Sequence, residues 1–150
     1  MVRKALLVVI LSVVLAVAAQ ARPVFAQGCN QELEAVGVLS AGYVYMTYGF
    51  IGAAGDAYSK GSYTSEQVQS MMKETSALLD TVGQKLGGLS NLTAEDETSV
   101  ASIVRICLLL KSEAEGLSAY VASNSQADLD QFNRSRDKAW QLIKQLLGLE

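Results

Sequence analysis

Few residues in this sequence can do chemistry, and their spacing narrows the set further. The 150 residues contain no histidine. That excludes Ser–His and Cys–His nucleophile pairs, histidine-ligated haem and histidine-bearing zinc sites. No CxxC, no phosphate-binding GxxxxGK[ST] loop and no GxGxxG turn occurs. A di-metal carboxylate bundle needs inward Glu-x-x-His motifs, which a chain without histidine cannot supply. Met71–Met72 reads as flexible core filling rather than a soft metal site. The expectation is a protein that is not an enzyme and that carries no cofactor and no metal.

Three residues remain for attention. Arg136 falls between Phe132 and Ala139 on the apolar seam of the last helical pattern. An isolated buried charge is costly unless paired. Either its head reaches solvent along the seam edge, or it anchors a small anion inside the molecule, with Tyr43 and Trp140 as neighbours. The second reading describes a small-anion-binding, sensor-like protein. Cys29 and Cys107 are the only cysteines, and in an exported chain such a pair is a candidate disulfide. The bridge needs Cα atoms within about 7 Å. Cys107 lies well along its helix, roughly 20 Å from the end where Cys29 arrives. The pair can therefore form only if the chain before Gly37 folds back.

Export itself is read from the N-terminus. Arg3 and Lys4 precede an apolar run from Ala5 to Ala19 that is broken only by Ser12. Val24-Phe25-Ala26 then fits the small-x-small cleavage pattern, which places a signal peptide at 1–26 and the mature domain at 27–150. The destination is the periplasm or the exterior. AQG ahead of Cys29 lacks the apolar residue usual in a lipidation signal, so a lipid anchor at Cys29 is the weaker way of holding the chain to a membrane. Removing Arg3, Lys4 and Arg22 from the twelve basic residues leaves nine against fifteen acidic ones, a net charge of −6 where the full chain has −3. Lys and Arg are scattered singly, so nucleic acid is excluded as a partner.

The elements that must position these residues are helices. Asn30 is the expected cap of the first, with Glu32 and Glu34 in its first turn. Thr64 with Gln67 forms a capping box for the second, which Gly87 ends. Thr93 caps the third, with Glu95, Asp96 and Glu97 following it. Ser123-Asn124-Ser125 breaks that helix, Ser125 begins the fourth, and Gly148 ends it. Apolar residues recur at helical spacing along each: Val68, Met72, Thr75, Leu79, Val82 and Leu86; then Val100, Ile103, Cys107, Leu110, Ala114, Leu117 and Val121; then Leu129, Phe132, Ala139, Ile143 and Leu146. Short connections make neighbours antiparallel. The predicted fold is all-α, an up-down-up-down four-helix bundle after a cleaved signal peptide.

The first helix is the unusual one. Ala35 to Gly55 carries no charge, long enough to cross a bilayer. Ser40, Thr47, three tyrosines and five glycines argue against a span in the mature chain. The expected core seam is Val36, Leu39, Tyr43, Met46, Thr47, Phe50, Ala54 and Ala57. The other face holds Gly37, Ala41, Tyr45, Tyr48 and Gly52. Each glycine costs roughly 0.5–1 kcal/mol against alanine inside a helix, and close approach of another backbone is what offsets that cost. Gly37, Ala41, Tyr45, Tyr48 and Gly52 are therefore the expected contact face for a protein partner or for a homo-oligomer.

Overall fold

The computed structural model describes the backbone of residues 24–149 and the side chains of residues 32–149. Most of the predicted signal peptide lies outside the described residues. Four helices are present among the described residues: α1 (Val24–Ser59), α2 (Ser65–Gly87), α3 (Ala94–Ser123) and α4 (Gln126–Leu147). No strand occurs among the described residues. The chain divides into two compact units, Met1–Val36 and Gly37–Glu150. The first contributes the opening turns of α1. Everything below concerns the second.

The ends of α2 and α3 follow from local chemistry. Thr64 and Gln67 exchange side-chain and backbone hydrogen bonds in a full capping box. Thr93 does the same with Asp96, so orphan N–H groups at both N-termini are satisfied. Ser125 differs, because its side chain makes no cap bond. Instead Ser123 Oγ donates to Asp128 at 2.6 Å and accepts from the Ser125 N–H at 3.0 Å. Gly148 closes α4 in the left-handed region at φ 65°, where glycine pays no steric penalty. α1 corrects one expectation: it begins at Val24 and runs through Asn30, which is therefore interior and not a cap.

The helices alternate in direction. Asp80 on α2 meets Lys111 on α3, while Ser65 near the start of α2 donates to the Val121 carbonyl near the end of α3. Ser112 pairs with Ser135, and Gly116 lies against Phe132, which fixes α4 antiparallel to α3. Tyr58 at the end of α1 donates to the same Val121 carbonyl. This is an up-down-up-down bundle. Its core is a continuous column that includes Ile51, Met72, Leu79, Ile106, Leu110 and Ile143.

The seams of α2, α3 and α4 lie where the spacing puts them, with Ile106, Glu113 and Gly116 adding a second buried row on α3. The seam of α1 does so only in part. Ser40, Val44, Thr47, Ile51 and Ala54 are buried, Thr47 and Ala54 as expected, while Leu39, Met46 and Phe50 face outward. The helix is turned by the better part of one residue, about 70°. Apolar side chains surround α1 on all sides, so periodicity alone carries no information about which side faces in.

Candidate functional site

Two arrangements in this unit carry unusual chemistry, and they share α1. The first is inside. Gly116 lets α3 and α4 approach closely: a Cβ built there would sit 2.8 Å from the Phe132 nitrogen. That approach brings Arg136 across to Glu113, one turn back along α3. Arg136 Nη1 donates to Glu113 Oε1 at 2.6 Å and to the Tyr48 carbonyl at 3.2 Å. Its Cζ lies 4.0 Å from the Tyr48 ring centre, a cation–π contact. The Tyr48 ring in turn stacks on Trp140, with centroids 5.2 Å apart and planes 18° from parallel. One guanidinium thus ties three helices together.

Glu113 is the costly member of this cluster. It is 0% exposed, and its Oε2 has no hydrogen-bond partner. Burial pushes its carboxyl up to about 7, against the downward pull of the Arg136 hydrogen bond and charge. The carboxyl therefore stays neutral in the folded protein at pH values where the unfolded chain, near 4.5, has already lost the proton. Protonation favours the fold. This contribution is full below about pH 4.5 and is lost as pH rises through about 7. The gap corresponds to about 3 kcal/mol. Unfolding wild type and Glu113→Gln in urea across this range should show wild type losing stability relative to the variant as pH rises. Parallel pH curves would mean that Glu113 does not titrate in the fold.

The second arrangement is on the surface. Val38 (66% exposed), Leu39 (73%), Tyr45 (45%), Met46 (70%) and Phe50 (45%) form an apolar strip along α1, with Leu78 (58%) of α2 beside it. Shallow grooves flank the Met46–Phe50 ridge. One, of about 440 Å³, is lined by Tyr45, Tyr48, Gly49, Ala53 and Trp140 together with the ridge. The other, of about 390 Å³, runs past Tyr43, Met71, Thr75 and Leu78. No charged residue lies on α1 between Glu34 and Asp56. No protein-family model matches the chain, and no curated protein or solved structure matches it either.

The residues singled out from the sequence separate between these two places. Of the expected contact face, only Tyr45 is exposed; Gly37 and Ala41 are half-buried. Tyr48 is sandwiched between Arg136 and Trp140. A Cβ at Gly52 would lie 2.5 Å from Arg136 Nη2, so the close approach that explains this glycine is made by the chain's own α4. The rotation of α1 is the reason. The expected anion cluster is likewise corrected. Arg136 and Trp140 do come together, around Tyr48, but Tyr43 lies on the other flank of α1, against α2.

Sequence reasoning missed Glu113. The signal was available: an arginine on one apolar seam calls for an acid at the facing level of the antiparallel neighbour. The expected pairing of Cys107 with Cys29 falls partly outside the described residues. Cys107 is a free thiol buried in the core, and burial pushes it up to about 11. The Cys29 side chain lies outside the described residues.

Proposed function

We propose that this chain is an exported, non-enzymatic interaction or assembly protein that docks a protein partner on the outward face of α1. The observation that carries this reading is the uncharged strip of Val38, Leu39, Tyr45, Met46 and Phe50, large side chains left in solvent by a bundle whose other outer faces are charged. The largest apolar patch on a monomer, typically ~300–600 Å², is often its functional surface. Tyr45 and Trp140 add the broad amphipathic rings that interfaces favour. The apolar run behind Arg3 and Lys4, ending at Val24-Phe25-Ala26, supports export. By length and composition alone the Glu32–Ser59 part of α1 is also apolar enough to cross a membrane, with mean hydropathy 1.2. Its buried residues are bundle core, and they pack against helices with charged outer faces, which favours the docking reading.

A small-anion site at Arg136 has lost its support, because the Glu113 carboxyl already occupies the guanidinium at 2.6 Å. The docking reading is tested with a photo-cross-linking side chain placed at Leu39, on the strip, or at Lys73, on the exposed side of α2, in the cell that makes the protein. Protein adducts from position 39 but not from position 73 are the expected result. Adducts from both positions alike, or from neither, would remove the strip from the account.

A further inference from the structure

We propose that the occupant of the α1 face is a second copy of this chain, packed antiparallel across a two-fold axis at Met46. The inference rests on the docking reading above and names its partner. Its basis is a property of the strip itself. Leu39, Gly42, Met46, Phe50 and Ala53 follow one another at steps of three, four, four and three residues. These steps read the same from either end, and at helical pitch they fall along one line of the surface.

Two antiparallel copies centred on Met46 set Leu39 against Ala53, Gly42 against Phe50, and Met46 against itself. Every layer joins a large side chain to a small one, apart from the central pair of flexible methionines, which adapt to fill the space. Large against small is the condition for ridges to enter grooves. Gly42 leaves its position open, since nothing lies within 4 Å of the place its Cβ would take. A parallel pair would stack Leu39 on Leu39, Phe50 on Phe50 and glycine on glycine, leaving collisions in two layers and a gap in a third.

Area and charge point the same way. The exposed fractions of Val38, Leu39, Tyr45, Met46, Phe50 and Leu78 amount to on the order of 600 Å² of apolar surface, taking large side chains at ~150–250 Å² each. A standard interface takes about 800 Å² from each partner. The exposed glycine backbone at 42 and 49 and the side of Ala53 contribute the remainder. The chain is acidic overall, and two copies repel wherever acidic faces meet. Residues 35–55 of α1 carry no charge, and the contact confines like charges to Glu74 of α2, which lines the groove beside Met46 and Leu78 at its edge. Under the two-fold, Leu78 beside Met46 meets its own copy near the axis, and the contact closes as a dimer without leaving a second sticky face.

The test uses the full chain with Cys29→Ser, so that Cys107, which is buried, is the only native thiol left. Into this background go Met46→Cys alone, Leu39→Cys alone, or Leu39→Cys with Ala53→Cys. Mild oxidation should link two chains through position 46 and through the 39/53 pair, with little linkage from 39 alone. Light scattering should give twice the chain's mass. Gly42→Phe, which fills that open position, should weaken association by at least ~tenfold with the helix content of the bundle unchanged. A chain that stays monomeric overturns the proposal, and so does one whose strip inserts into lipid vesicles. If protein adducts from position 39 persist in that monomer, the docking face survives and only the second copy is wrong. A dimer that links through 39 alone as fast as through 46, or that ignores Gly42→Phe, overturns the antiparallel packing.

Discussion

Arg136→Met should destabilise the protein by about 3–5 kcal/mol in mildly alkaline buffer, the usual result of leaving one member of a buried pair alone. The stranded group is Glu113, which is wholly buried with one oxygen already unpartnered. Among the described residues its only ion-pair partner is the guanidinium that the substitution removes. The loss should shrink towards pH 5, because Glu113, already pushed up to about 7 with Arg136 present, then enters the fold as a neutral acid. Combining Arg136→Met with Glu113→Leu should recover wild-type stability or exceed it, since well-packed apolar replacements of buried pairs are neutral or stabilising by about 1–4 kcal/mol. Urea denaturation at two pH values measures all four proteins. A single variant as stable as wild type at alkaline pH would show that Arg136 does not hold Glu113.

Gly116→Val is the second large effect. The added Cβ would lie 2.8 Å from the Phe132 nitrogen and 3.0 Å from its Cα, so it meets backbone that cannot rotate away. α3 and α4 must separate, at about 3 kcal/mol, the upper part of the overpacking range. The contrast is Gly52→Ala. There the obstacle is the end of the Arg136 side chain, which can shift, and helix propensity returns roughly 1 kcal/mol. That variant should stay within about 1 kcal/mol of wild type. If both glycines tolerate substitution equally, the tight crossing at Gly116 is not there, and the route by which Arg136 reaches Glu113 goes with it.

These two residues also mark the limit of what the sequence discloses. Thr64 with Gln67, Thr93 with Asp96 and the terminal Gly148 announce helix ends because each acts through bonds to its own near neighbours. The seams of α2, α3 and α4 are legible because charged residues occupy their other sides. α1 has apolar residues all round, and only the packing of Ile51, Val44 and Ala54 against the other helices decides which side turns in. A reading turned by the better part of one residue sends Leu39 and Met46 inside and Tyr48 and Gly52 outside, the reverse of what is found. Arg136 was conspicuous as a charge on an apolar seam. Glu113 was not, because α3 has Lys111 and Glu115 two places either side, and among alternating charges an inward one looks like its outward neighbours.

The bond from Arg136 to the Tyr48 carbonyl joins residues 88 positions apart, which gives the molecule a timetable. α1 is made first and α4 last. At ribosomal rates of ~5–20 residues per second, some 4–18 seconds pass between synthesis of Tyr48 and arrival of the arginine that secures it. Through that interval α1 cannot pack its Tyr48–Gly52 side against Arg136 of α4. The last helix therefore completes the burial of the first, and α1 stays unsecured until synthesis reaches Arg136.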